Sequence, residues 1–288
     1  MSESLKKVIL LGGPTASGKT KISLDLVRQY NGEIICGDSM QVYADMVIGT
    51  ASPTDEEKAA APHHLFNEIS PFEEFSVAKW AELAHNKIID VQGRGKVPII
   101  VGGTGLYLDT IADNRRYIDI PKDDEFRAGL GQMTNSELYQ RLKDVDPESA
   151  DKLSESDNRR VVRALEIYNA TGKTKTQIDR ESLQEPIYDI TYYVLKPERE
   201  ELYKRINDRV DVLINLGLVD ECRALLARGI DEKYSAYNAI GYRQIYEYLK
   251  GETTLNDAID KVKQATRNYA KRQMTWWRKR ADVICLER

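Results

Sequence analysis

The segment Val8-Ile9-Leu10-Leu11-Gly12-Gly13-Pro14-Thr15-Ala16-Ser17-Gly18-Lys19-Thr20 decides the fold. Four apolar residues in a row, stopped by paired glycines, read as a short buried strand. Ile22, Leu24, Leu26 and Val27 then supply an apolar stripe over Thr20 to Tyr30, and Asn31-Gly32 ends that helix with residues suited to a C-cap. Between strand and helix, Gly13 to Thr20 fits the phosphate-loop pattern G-x-x-x-x-G-K-[ST]. Glycines let backbone N–H groups wrap a phosphate, and the helix N-terminus adds positive potential. Gly13, Pro14, Thr15, Ala16, Ser17, Gly18, Lys19 and Thr20 are therefore expected to cradle a diphosphate or triphosphate, with Lys19 neutralising charge and Thr20 ligating Mg²⁺. The motif does not say whose phosphate it holds.

Outward from this segment, Glu33 to Cys36 and Val97 to Val101 read as further buried strands, separated by a helix over Ser76 to Val91. Strands alternating with helices imply β-α-β units and a parallel sheet with helices on both faces. The polar signatures at residues 13–20, 37–41 and 102–104 each follow a strand, so they should gather at the carboxyl edge of the sheet, where open α/β folds bind ligands. From residue 115 to 186 the pattern is helical without a convincing strand, with helices over Ser136 to Lys143 and Ser156 to Ala170. Tyr188 to Leu195 then returns to strand. Helices over Glu198 to Leu216 and Leu255 to Arg280 follow, before a short strand at Val283 to Leu286. The expected organisation is a phosphate-loop core of residues 1–114 and 187–288, interrupted by a helical insertion at 115–186. The stretch containing Pro53, Pro62 and Pro71 resists assignment.

The chain has 288 residues, with 42 Lys and Arg against 46 Asp and Glu, a formal charge of −4. No apolar run approaches the ~18 residues needed to span a bilayer, and no leader pattern opens the chain, so a soluble cytoplasmic protein without a membrane partner is expected. Cys36, Cys222 and Cys285 stand alone and the histidines are His63, His64 and His85, so neither a zinc finger nor disulfides are expected. The near-neutral total conceals two basic blocks: residues 261–288 carry a local +7 and residues 159–180 a local +4. That segregation suggests a basic face able to meet a polyanion, or else a solvated helix surface.

Asp38 should reach the same edge as the loop. It could ligate Mg²⁺ through water, act as a base toward an acceptor beside the phosphate, or simply form an Asx-turn or helix cap with Ser39. Gly102-Gly103-Thr104 offers a close backbone approach and a hydroxyl, or a plain strand-ending turn. His63 and His64 read as loop or core histidines. Trp276 and Trp277, set amid basic residues, could stack on bases, though at least one should pack against the body.

Taken in order, Gly13 to Thr20, Asp38-Ser39-Met40-Gln41-Val42-Tyr43, Ile48 to Ala51, Val101 to Tyr107, Asn158 to Glu166, Ala239 to Gln244 and Tyr269 to Trp276 resemble the tRNA dimethylallyltransferases over nearly the whole chain. The resemblance implies transfer of a dimethylallyl group from dimethylallyl diphosphate to the N6 amine of the adenosine beside a tRNA anticodon, with Mg²⁺ as cofactor. Asp38 is then the base. Thr104 supports the acceptor site, and Arg209 meets the diphosphate unless it is a helix-surface arginine. Asp38, Ser39, Met40 and Gln41, with Arg159, Arg160, Val161, Val162, Arg163 and Arg127, contact the tRNA. Leu213 stands where many members carry Met, a difference expected to touch packing alone. No zinc-finger extension follows Arg288, which suggests the shorter bacterial form, acting as a monomer. Competing readings are a P-loop kinase of a small nucleotide or metabolite, a prenyltransferase of free adenine nucleotides, and a noncatalytic RNA-binding module.

Overall fold

The computed structural model describes residues 5–287. Among them β1 (Lys6–Gly12), β2 (Gly32–Cys36), β3 (His63–His64), β4 (Val97–Gly102), β5 (Tyr188–Lys196) and β6 (Ile284–Glu287) form one sheet in the order β3-β2-β4-β1-β5-β6. Every pairing between these strands is parallel, and Leu10 of central β1 lies opposite Ile100 on one side and Tyr192 on the other.

Strand alternation assigns the two faces of the sheet to different helices. Ile9 and Leu11 pack with Leu26, Ile22, Leu24 and Val27 of α1 (Lys19–Tyr30). The stretch without an assignment holds α2 (Asp55–Ala60), opened by a Thr54–Glu57 capping box, and then β3. On the opposite face of the sheet Val8 and Leu10 join Trp80, Ala84 and Ile88 of α3 (Val77–Gly93) and Leu108 of α4 (Gly105–Ala112). Each fully buried aliphatic side chain contributes about 1.5–3 kcal/mol. Asn31 caps α1 in the left-handed conformation, its N–H on the Val27 carbonyl, and the next residue starts β2. The doubly covered parallel sheet expected from the sequence is present. Two-residue β3 carries no periodicity to read: pairing of His63 with Ile34 and His64 with Ile35 puts both histidines at the sheet edge, where His64 Nε2 meets Glu33 at 2.7 Å.

A compact unit spans Asp113–Glu185 and comprises α5 (Asp124–Leu130), α6 (Asn135–Val145), α7 (Pro147–Asp151), α8 (Asn158–Thr171) and α9 (Lys175–Ser182). Its own core is built from Leu130, Leu138, Leu142, Ala150, Val161, Ala164 and Leu165. Its two ends are tied together by Arg116 N–H donating to the Ser182 carbonyl at 2.8 Å and Asn114 Nδ2 donating to Glu185 O at 2.6 Å. Glu166 is fully buried and takes Arg127 Nε and Nη2 at 2.7 and 2.8 Å, the Asp123 N–H at 2.8 Å, and Arg163. These donors outweigh burial and hold the Glu166 carboxyl at about 2.

Arg127 and Arg163, each about one-third exposed, hold a buried carboxylate, and Val161 is core. Val162 packs partly against the same core, whereas Arg159 and Arg160 are exposed.

The second compact unit comprises the chain up to Ala112 and from Pro186 onward. After β5 it adds α10 (Arg199–Asn215), α11 (Leu218–Ala227), α12 (Tyr242–Leu249) and α13 (Leu255–Trp277), and α13 packs on α10 and α12.

Candidate active site

β1, β2 and β4 end in register, with Gly12 opposite Gly102 and Cys36 opposite Val101, so the three polar signatures meet at one edge. They border a cavity of about 390 Å³ within the second unit. The loop turns into α1 through Gly18, whose φ of 89° is a conformation that costs other residues about 1–2 kcal/mol. Lys19 Nζ donates to the Gly13 and Pro14 carbonyls at 2.9 Å each. Burial pushes the Lys19 ammonium down to about 8; the Asp38 carboxylate opposes this and the Arg209 charge adds to it. Ser17 Oγ is buried and has no hydrogen-bond partner among the described residues.

Of the open readings of Asp38, the turn is the one the structure displays directly. Its Oδ1 accepts from the N–H groups of Met40 at 2.9 Å and Gln41 at 3.4 Å, an Asx-turn that fixes the carboxylate. Its Oδ2 lies toward the Gly103 backbone, where a Cβ would come within 3.2 Å of it. Asp38, Ser39, Met40 and Gln41 all line the cavity. Thr104 acts one step back: its Oγ1 accepts from Ser39 N–H at 2.9 Å and faces Ser39 Oγ at 3.2 Å. Gln41 donates to the Thr50 and Ala51 carbonyls at 3.1 and 2.9 Å, bracing the next loop. That loop is also strapped by Glu221, which accepts from the N–H groups of Val47, Ile48 and Gly49 at 2.8–3.0 Å.

Arg209 lines the cavity and is not a surface arginine of α10. Burial lowers its pKa, against the pull of the Glu57 and Asp38 carboxylates. Along the same wall Ile206, Val210 and Leu213 of α10 and Val262 of α13 present hydrocarbon. Leu213 therefore borders the site itself, more than the packing role expected of it.

Sequence reasoning singled out the Tyr269-to-Trp276 motif but gave Tyr269, Arg272 and Gln273 no site role; α13 brings all three into the cavity wall. The available signal was Gln273 lying on the same helix stripe as Val262, Tyr269, Ala270 and Trp277, a polar residue at a core position. Trp277 is buried against Gly12 and donates to the Tyr192 hydroxyl at 2.8 Å. Trp276 lies on Gly105, is 42% exposed, and donates to Asp109 at 2.7 Å. The glycines at these strand ends thus serve partly as seats for α13.

The charge blocks also resolve into partners. In residues 159–180, Arg160 pairs with Asp157 at 3.3 Å, Lys173 with Glu181 at 2.7 Å, Lys175 with Asp179 and Arg180 with Glu148. Arg159 has no such pair among the described residues. In the C-terminal block Lys261, Lys263 and Arg280 are paired, while exposed Lys271, Arg272, Arg278 and Lys279 on and just beyond the last turns of α13 are not, among the described residues.

A family model described as IPP transferase matches residues 41–280, and one described as isopentenyl transferase matches residues 6–65. A tRNA dimethylallyltransferase of Anoxybacillus flavithermus is 47% identical over 278 residues, covering 96% of this chain and 89% of that protein. One of Bacillus pumilus is 42% identical over 287 residues, covering 98% and 90%. The crystal structure of a full-length tRNA isopentenylpyrophosphate transferase from Bacillus halodurans superposes with a TM-score of 0.73 at 41% identity, covering 98% of this chain and 90% of that one. A eukaryotic dimethylallyltransferase acting on tRNA gives a TM-score of 0.81 at 32% identity, covering 98% and 74%. Likeness of this extent, running through loop, Asp38 segment and α13 alike, places the chain in the IPP transferase family.

Proposed function

We infer that this protein transfers the dimethylallyl group of dimethylallyl diphosphate to the N6 amine of the adenosine adjacent to the anticodon in tRNA. The carrying observation is that one cavity holds both a phosphate loop and a fixed carboxylate, with hydrocarbon along the same wall. A new C–N bond forms at the allylic carbon as its C–O bond to diphosphate breaks, and the amine proton must leave. The adenine amine is weakly nucleophilic, so a base that accepts this proton lowers the barrier. We assign that role to Asp38, oriented by its Met40 and Gln41 hydrogen bonds and supported through the Thr104–Ser39 contact. Lys19, Arg209 and the N–H groups where the loop enters α1 face the charge that develops on the departing diphosphate.

The donor set fits Mg²⁺. Mg²⁺ is commonly held by one or two protein oxygens together with substrate phosphates. Thr20 lines the cavity and would hold it, beside the unpartnered Ser17 hydroxyl. When bound, the ion supplies charge neutralisation at the phosphate oxygens.

An adenosine stacked in an RNA loop cannot reach a recessed carboxylate, so it must be flipped out and the backbone gripped. We assign gripping to the unpaired Lys271, Arg272, Arg278 and Lys279, and to exposed Arg159 and Arg160 in the insertion at 115–186. Ser39 to Gln41 meet the flipped nucleoside. No helix is long and apolar enough to cross a membrane. We propose action as a monomer in the cytoplasm, since one chain carries loop, carboxylate and hydrocarbon wall. A P-loop kinase is not favoured: the relatives are dimethylallyltransferases, and a hydrocarbon wall serves a prenyl group. The test incubates purified protein, dimethylallyl diphosphate, Mg²⁺ and unmodified tRNA, followed by nucleoside mass analysis. One adenosine should gain a dimethylallyl group in place of a hydrogen; ATP consumption without prenyl transfer would support the kinase instead.

A further inference from the structure

We propose that Gln273 is a positioning residue that sets the distance between the diphosphate cradle and the proton acceptor, resting on the transfer reaction just described. Gln273 is 4% exposed and reaches the cavity from α13. Its Oε1 accepts from the N–H of Thr15, inside the phosphate loop, at 2.9 Å. Its Nε2 donates to the carbonyl of Gly103, in the turn that carries Thr104, at 2.8 Å. The partners dictate which end of the amide faces which, because an N–H only donates and a carbonyl only accepts.

This carboxamide therefore ties the donor loop to the turn that braces Asp38. The fit is close: a Cβ on Gly103 would lie 2.3 Å from Gln273 Nε2 and 3.2 Å from Asp38 Oδ2. A hydrocarbon of the same length would fill the space and hold neither side. Misplacing reacting groups by about 1 Å costs on the order of 100-fold in rate while leaving each substrate able to bind.

The test compares the wild-type protein with Gln273→Met and Gln273→Glu. Gln273→Met should lower kcat about 10- to 100-fold, with pyrophosphate affinity within about twofold of wild type and little change in Tm. Gln273→Glu keeps the acceptor for Thr15 but, while ionised, lacks the donor for Gly103. Its activity per folded molecule relative to wild type should therefore rise as pH falls and protonation restores that donor, whereas a purely structural role would change only the folded fraction. Should Gln273→Met fail to fold, the pH ratio of Gln273→Glu decides the question. The proposal is overturned by a Met variant with wild-type kcat, by loss that follows stability alone, or by a Glu variant whose activity ratio ignores pH. A wild-type protein that transfers no prenyl group sinks the proposed function and this inference together, whereas an active wild type with an equally active Met variant sinks this inference only.

Discussion

Gly102 and Gly37 touch backbone to backbone: a methyl group on Gly102 would lie 1.9 Å from the Gly37 carbonyl oxygen. The contact brings the ends of β4 and β2 together and so places Thr104 beside Ser39 and Asp38. Gly102→Ala forces those strand ends apart, because backbone cannot yield as a side-chain tip can. It should cost about 1–3 kcal/mol of stability, as overpacking does, and lower kcat about 100-fold in the folded fraction. Urea unfolding with single-turnover assays separates the two effects.

Removing the proposed base gives a different signature. Asp38→Ala should reduce kcat by about 100- to 10,000-fold, the range of general-base contributions, while largely sparing pyrophosphate binding. Titration calorimetry beside a prenyl-transfer assay reads both quantities. Normal turnover in this variant would remove Asp38 from the mechanism.

Lys19, its ammonium pushed down to about 8 by burial, makes anion binding pH-dependent. Its cationic form attracts diphosphate and predominates below that value. After allowance for the titration of pyrophosphate itself, its affinity should therefore be flat below about pH 7 and fall as pH rises through 8, approaching tenfold per unit beyond it, with Lys19 taking up a proton on binding. Lys19→Ala should bind weakly and lose this dependence. Calorimetry in buffers of different ionisation enthalpy measures the proton count.

The buried Glu166 should govern the stability of the insertion. A carboxyl held down to about 2 contributes stability that is present above the ordinary glutamate range and lost as pH falls from about 4.5 through 2. Glu166→Gln leaves Arg127 and Arg163 without their anion and should cost about 3 kcal/mol, the lower end for a broken buried pair because both arginines are about one-third exposed. It should also flatten the acid limb of a stability-versus-pH curve followed by circular dichroism.

Charges with protein partners should matter less to RNA than charges without them. Arg278→Ala and Lys279→Ala should each weaken tRNA binding and reduce the slope of log affinity against log salt by about one. Lys175→Ala and Arg180→Ala, whose cations already pair with Asp179 and Glu148, should leave the slope unchanged. Filter binding across a salt series distinguishes the two pairs of variants.

The strand, phosphate loop and first helix were legible in residues 8–31 because their signals are local: an apolar run, glycine spacing and a stripe at helical period. The same held for β2, β4 and β5, and since parallel strands end at a common edge, Asp38 and Thr104 could be placed near Lys19 before any coordinates. Two-residue β3 was not legible, because its partner and not its pattern makes it a strand. Charge counts located basic blocks but could not show that Arg127, Arg163, Lys175 and Arg180 are spent on carboxylates, since a side chain's partner is a property of packing. Gln273 lies 258 positions from Thr15, and only the docking of α13 onto the sheet edge brings the two within hydrogen-bond distance. Sequence alone determined the phosphate-loop sheet and its ligand edge, where periodicity and backbone geometry suffice. The tertiary structure decided which residues from distant helices close the cavity and which charges pair with carboxylates, because both depend on contacts that no local pattern encodes.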